Sequence, residues 1–214
     1  NALATVIAAP LGSFLGGLIG WRGAFFCVVP VAVIALAWLW LSLPALKHSG
    51  KAATGNALRL LKNSKVALGM CAVSLFFMGQ FMLFTYLRPF LEGVTRVEVS
   101  TLSLMLLVLG LAGLAGTVLI EHLLKRHLYP TLIAIPLIMA GIALALVGFG
   151  GSAIVTTLLL GCWGLVATAA PVGWWTWLAR TLPDDAEAGG GLMVAIIQLA
   201  IAAGATVGGV AFDL

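Results

Sequence analysis

The sequence predicts an all-α, polytopic membrane protein, and three observations carry that prediction. Only 8% of its 214 residues are charged, against about 25% in soluble domains, and mean hydropathy is +1.17. Its apolar residues fall into runs close to the length, about 20 residues, that crosses a bilayer as a helix. None of these runs alternates apolar with polar residues as a lipid-facing barrel strand does, which leaves helices to satisfy the backbone inside lipid.

Seven such runs follow one another, at 2–19, 24–43, 66–87, 101–120, 131–149, 153–177 and 192–212. The first carries glycine at every fourth position and stops at Gly20-Trp21-Arg22. The second ends on Trp38 and Trp40, just before Pro44. The third lies between Lys65 and Arg88-Pro89, and the fourth between Glu98 and Glu121. The fifth follows Pro130 and closes at Gly150-Gly151. The sixth carries Trp174, Trp175 and Trp177 ahead of Arg180, and the seventh follows the acidic turn Asp184-Asp185. Pro10, Pro30, Pro136 and Pro171 are expected to bend their helices.

Charge sets the orientation. The polar connector 44–65 holds Lys47, Lys51, Arg59, Lys62 and Lys65 without an acid, and Lys125, Arg126 and Arg180 fall on the same side. Arg22, Arg88 and Arg96 fall on the other, so the long connector is expected in the cytoplasm. Trp38, Trp40, Trp174, Trp175 and Trp177 suit a cytoplasmic aromatic belt. Within the connector, "ALRLLKNSK" (57–65) is expected as a short amphipathic helix on the membrane surface. The connector divides the chain into 1–43, the end of one helical bundle, 44–65, a cytoplasmic central loop, and 66–214, a second bundle.

Several function classes are disfavoured. The cations sit in short loops rather than on one face, which argues against nucleic acid as a partner. Cys27, Cys71 and Cys162 are apolar-flanked and read as small buried hydrophobes. His48, His122 and His127 read as solvated, so no metal site is expected. No clustered acid, base or nucleophile marks an enzyme, no phosphate-binding loop marks ATP as an energy source, and no continuous polar lining marks a channel. The chain has no initiator methionine and opens inside an apolar run, which reads as a fragment. Residues alone leave open a non-transporting membrane receptor or scaffold.

An internal repeat suggests a two-half carrier. Gly12-Ser-Phe-Leu-Gly16-Gly17 in the first run matches Gly204-Ala-Thr-Val-Gly208-Gly209 in the last. With six-helix halves repeating in parallel, helix five corresponds to helix eleven. Numbering the runs five to eleven then puts the long connector between helices six and seven.

These residues resemble a known family. "APLGSFLGGLIGWRGAF" (9–25) resembles the fifth-helix antiporter motif of the major facilitator superfamily, in the PLGxxxGxxxGWRxxF form of its sugar- and nucleoside-efflux members. "GQFMLFTYLRPFL" (79–91) resembles the seventh helix of that subgroup. "PVGWWTWLARTLPDDAEAGG" with "VAIIQLAIAAGATVGG" is similar to helices ten and eleven of bacterial purine ribonucleoside efflux permeases. Ala9 replaces the glycine that many antiporters place before the proline, and "GTVLIEHLLKRH" is a degenerate acidic-basic loop motif whose charge character Glu121, Lys125 and Arg126 preserve.

The resemblance implies a major facilitator fold, helices five to eleven of twelve, in a bacterial inner membrane. It implies export of a small polar solute, a purine nucleoside or analogue, by proton antiport with alternating access. Sugar or multidrug efflux is the alternative. No cofactor beyond the proton gradient is expected, and a monomer suffices. Helices five and eleven are expected at the contact between halves, so Pro10, Gly12, Gly16, Gly17, Gly20, Gly204, Gly208 and Gly209 become inter-bundle packing candidates. The polar residues at mid-depth are few. Gln80 and Gln198 need a wet cavity or a partner. Trp163, Ala167, Ala170 and Trp174 share one helical face where a planar ligand has room to stack; Phe84 and Tyr86 are further pathway candidates. No helix centre carries a carboxylate, so either the proton-coupling group lies in helices one to four or the protein does not couple to protons; the resemblance implies the former.

Overall fold

The computed structural model of the protein describes residues 2–42 and 57–212. The stretch 43–56, with Lys47, His48 and Lys51, lies outside them. Every regular element among the described residues is helical. In order these are α1 (Ala2–Ser42), a 3-10 turn (Ala57–Lys62), α2 (Ser64–Thr85), α3 (Leu87–Phe90), a π turn (Leu91–Thr95), α4 (Val99–Phe149), α5 (Ala153–Ala167), α6 (Ala170–Thr181) and α7 (Ala186–Phe212). Five spans, counting α5 and α6 together, are long and apolar enough to cross a membrane.

Two of these helices are too long for one crossing, and each is broken where two predicted runs meet. In α1 the break is Gly20, at φ 75 and ψ 163, a conformation in which a Cβ is strained and which is essentially reserved for glycine. In α4 the break is His127, at φ −134 and ψ 50, with the Thr131 hydroxyl donating to its carbonyl at 2.6 Å. A straight helix of α4's length would separate its ends by roughly 75 Å. Instead both ends return to one place: Leu102 clusters with Leu87 and Leu91, and Gly150 lies against Phe90. The two arms of α4 therefore run back along each other, and the seven predicted runs are all present.

The full breaks in these helices do not fall at proline. Pro10, Pro30 and Pro136 sit inside helices whose broken residues are elsewhere, at Gly20 and His127. Pro171 lies in the first turn of α6, where a missing N–H costs nothing. Without that N–H the Ala167 carbonyl has no partner four residues on, and α5 ends there, dividing the predicted run 153–177 into two. The segment 57–65 also departs from prediction. It is a 3-10 turn whose Ala57, Leu60 and Leu61 pack onto the protein core rather than onto lipid, and Asn63 then caps α2 by accepting from the Lys65 N–H at 3.0 Å. Helix α7 starts at Ala186 rather than at 192.

Glycine brings the helices together. A Cβ on Gly116 would run into the Leu165 carbonyl, one on Gly164 into the Leu109 carbonyl, and one on Gly113 into Thr168, so the first arm of α4 and α5 touch backbone to backbone. Gly204 of α7 meets the Met78 carbonyl of α2 in the same way, and Gly69 of α2 makes room for the Trp177 indole. The main core cluster lies between α2, α4 (its second arm and the end of its first), α5, α6 and α7. By contrast, every side chain from 25 to 42 is exposed. The three cysteines are exposed too, which corrects their reading as buried hydrophobes.

The glycines should accordingly fall into three classes when substituted. Gly116→Leu and Gly164→Leu should destabilise the purified protein by at least the about 1–3 kcal/mol of core overpacking, because the obstacle is backbone. Gly20→Ala should cost about 1–3 kcal/mol from its backbone conformation alone. Gly16→Ala and Gly141→Ala, with nothing within 4 Å, should be neutral or slightly stabilising, since alanine favours helix by about 1 kcal/mol. Thermal unfolding of the variants in one detergent gives the ranking, and equal midpoints for Gly116→Leu and Gly16→Ala would contradict it.

Candidate functional site

Helix α2 presents Leu68, Ala72, Leu75 and Gly79 along one stripe, at the spacing that keeps side chains on a single face. Facing that stripe, the second arm of α4 supplies Leu132, Pro136 and Met139, and α5 and α6 supply Trp163 and Trp174. The groove between them holds two adjoining cavities. A smaller one of about 460 Å³ is bounded by Phe76, Gly79, Gln80, Pro136, Met139 and Trp163. A larger one of about 1020 Å³ continues past Leu75, Phe76 and Pro136, which both cavities share, to Trp174, Trp177, Lys65 and Arg180.

The smaller cavity brings together two residues singled out from sequence, Gln80 and Trp163. Trp163 is buried in the core. The Gln80 Oε1 is buried and accepts no hydrogen bond, a state that costs about 1–3 kcal/mol when nothing fills the acceptor. Phe76 adds an aromatic wall and belongs to a contiguous set of rings. It packs edge-on against Phe77 at 5.3 Å, and tilted against Trp174 at 6.3 Å. Trp174 in turn meets Trp177 edge-on at 6.1 Å. The arrangement offers flat apolar surfaces and one amide, which is the chemistry for holding a planar solute with a few polar edges.

The other pathway candidates lie elsewhere. Trp174 lines the larger cavity and, with Trp177, is core rather than belt; of the three tryptophans before Arg180 only Trp175 is exposed. Trp38 and Trp40 are both exposed, as a belt requires. Phe84 points outward with its ring edge-on to Phe81 at 6.0 Å. Gln198 is exposed on α7 and lines none of these cavities. Tyr86 is a clasp: its hydroxyl donates to the Ala205 carbonyl at 2.9 Å, its ring stacks on Phe212 at 5.4 Å, and it fills the space beside Gly208 and Gly209. It also bounds a third, apolar cavity of about 220 Å³ with Leu83, Phe90 and Phe212.

The two glycine stripes do not meet each other. Gly204, Gly208 and Gly209 pack onto Met78 and Met82 of α2 and onto Tyr86 just past its end, whereas Gly12 and Gly16 have nothing within 4 Å. Helix α1 approaches α4 through Gly17, where a Cβ would lie 3.1 Å from Val99, and it buries Ser13, whose hydroxyl has no partner. Gly20 serves the helix break rather than a contact, and Pro10, ten residues earlier on the same helix, is partly buried. Glu121, Lys125 and Arg126 continue the first arm of α4 as helix, all exposed, rather than forming a loop. Between them in sequence, the Leu124 carbonyl accepts from Arg180 Nη2 at 3.4 Å. Among the described residues no three of His, Cys, Asp and Glu gather as a metal site.

Sequence reasoning missed Phe76, Gly79 and Pro136 as cavity walls. The spacing of Gly79 and Leu75 from Leu68 was a readable signal, but which face of an all-apolar helix meets a neighbour is decided by that neighbour. It also missed the glycines of deepest contact, Gly113, Gly116 and Gly164, although Gly110, Gly113 and Gly116 recur every third residue.

Comparison with known proteins agrees with this architecture. The Major Facilitator Superfamily profile matches residues 1–205. The protein named transcription regulatory protein OpdE from Pseudomonas aeruginosa is 59% identical over 100% of the chain and 54% of its own length. The purine ribonucleoside efflux pump NepI of Escherichia coli K12 is 44% identical over 99% of the chain and 54% of its own length, and that of Salmonella paratyphi B is 42% identical over 99% and 53%. The chain thus spans about half the length of the curated relatives it matches. With its profile match running nearly end to end and its helices long enough to cross the bilayer repeatedly, the chain belongs to the Major Facilitator Superfamily, as a multi-pass membrane transporter sequence.

Proposed function

We propose that this chain is part of a bacterial inner-membrane carrier that exports a purine nucleoside or analogue, by proton antiport with alternating access. The carrying observation is the similarity to purine ribonucleoside efflux pumps over almost the whole chain. The smaller cavity supports it: its volume of about 460 Å³ falls in the range of small-molecule sites, and Trp163 and Phe76 provide faces for a purine ring. The unpartnered Gln80 Oε1 accepts from a purine N–H, and the Gln80 amide can donate to a ring nitrogen. The described helices carry amides rather than carboxylates at this depth. In this reading they supply recognition, and the proton-binding group belongs to another part of the carrier. The bundle division at 44–65, the cytoplasmic placement of that loop and a monomeric state complete the proposal, with no enzymatic step and no nucleic-acid partner.

The name of the Pseudomonas relative favours a second reading, a regulatory one. The two are reconciled if the carrier alters the level of an inducing solute, since a changed inducer concentration alters transcription without contact with DNA.

Energised inverted vesicles containing the full-length protein should accumulate labelled inosine, and a protonophore should abolish that uptake. No uptake at confirmed expression would put sugar or drug export ahead. Gln80→Leu should weaken apparent affinity about threefold to tenfold, the worth of one neutral hydrogen bond, with membrane levels unchanged. Trp163→Phe should be milder than Gln80→Leu. Sidedness is tested separately: a reporter fused after Ser49 should behave as cytoplasmic and one after Gly93 as external, and reversed signals would overturn the orientation.

A further inference from the structure

We propose that Trp177 is a positioning residue for the smaller cavity: seated in the notch at Gly69, it sets the Trp174 ring, which in turn fixes Phe76 as a wall for substrate. The role rests on the purine reading above and deepens it, since Phe76 is one of the two faces offered to the base. Gly69 and Phe76 stand seven residues apart on α2, about 10 Å along the axis and on nearly the same face. Trp174 and Trp177 stand three apart on α6, again on one face. The two helices therefore meet in two rungs, Gly69 against Trp177 and Phe76 against Trp174.

The contacts run without a gap. A Cβ on Gly69 would run into the six-membered ring of the Trp177 indole, so only glycine leaves this ring its seat. Trp177 meets Trp174 edge-on at 6.1 Å, and Trp174 lies tilted on Phe76 at 6.3 Å. Phe77, the other ring beside Phe76, rides on the same helix. The ring contact that ties Phe76 to α6 is thus the one with Trp174. Behind the tryptophans, α6 is braced on α4. Gly173 admits Leu132, whose Cδ2 would lie 2.9 Å from a Cβ there, and Arg180 donates to the Leu124 carbonyl. Phe76, Trp174 and Trp177 are all buried by the described helices themselves, so their mutual packing does not wait on any other part of the carrier. A binding wall holds its geometry when packing locks its side chains in one rotamer. For Phe76 that lock is set two helical turns away, at Gly69.

The full-length protein carrying 4-fluorophenylalanine at position 76 tests this by ¹⁹F NMR, alongside inosine transport in vesicles. Gly69→Ala, which displaces the indole, and Trp177→Phe, which leaves the notch part-empty, should each shift or broaden the Phe76 resonance. Each should also raise the apparent KM for inosine about twofold to tenfold, the worth of one aromatic contact, with maximal rate little changed. Trp177→Phe removes volume and so remains informative where Gly69→Ala fails to fold. Combining the two substitutions pairs the added methyl with the smaller ring, and should bring both resonance and KM back toward wild type. Gly208→Ala, which meets the Tyr86 ring as closely but stands outside these rungs, should lower thermal stability and leave the Phe76 resonance in place. An unchanged resonance in Trp177→Phe, or a changed resonance with an unchanged KM, would overturn the proposal. A wild-type protein that moves no inosine would strike the purine reading instead, while the resonance, read without substrate, still decides whether Trp177 holds Phe76.

Discussion

Lipid tails are as apolar as leucine, so in a membrane two helices gain little by burying one leucine against another; they gain by bringing backbones close. This chain meets that constraint with glycine. Gly116 and Gly164 set the first arm of α4 and α5 carbonyl-to-backbone, and Gly204 does the same for α7 on α2. The remaining architecture follows from those two pairings. With α5 fixed on one arm of α4 and α7 fixed on α2, the second arm of α4 and α6 close over the space between, and the cavities are what their larger side chains leave unfilled.

Helix breaks are the second organising element. The chain reverses along α4 at a histidine, separates the arms of α1 at a left-handed glycine, and interrupts α5 ahead of Pro171. Each break has a local cause, yet each also places a side chain. The interruption at Thr168 and Ala169 puts Trp163 and Trp174 on separate helices, so each faces a different cavity although all four residues of their predicted face are buried.

What could be read from sequence followed from solvent chemistry. Long apolar runs and the positions of charges located seven helical segments, because lipid imposes length and polarity on each segment independently of its neighbours. Gln80 and Trp163 were legible for the same reason, an amide and an indole amid hydrocarbon being unusual. The pairing of glycine stripes was not legible. Gly12-xxx-Gly16 and Gly204-xxx-Gly208 look alike in one dimension, but Gly204 finds the Met78 carbonyl and Gly16 finds open space. A motif states that close approach is permitted; the partner is chosen by the three-dimensional arrangement. Burial was misread at the cysteines likewise, because in an apolar helix the outward face is as hydrophobic as the inward one.

Tyr86 shows what such packing means for a protein that changes shape. Its ring occupies the notch at Gly208 and Gly209 while its hydroxyl holds the Ala205 carbonyl and Phe212 lies flat against it. A ratchet of α7 along α2 by one helical turn, about 5.4 Å, would tear all of these away together and drive larger side chains into Met78. The two helices are therefore keyed in register and travel as a single rod. Any sliding seam has to run along a surface without such a key.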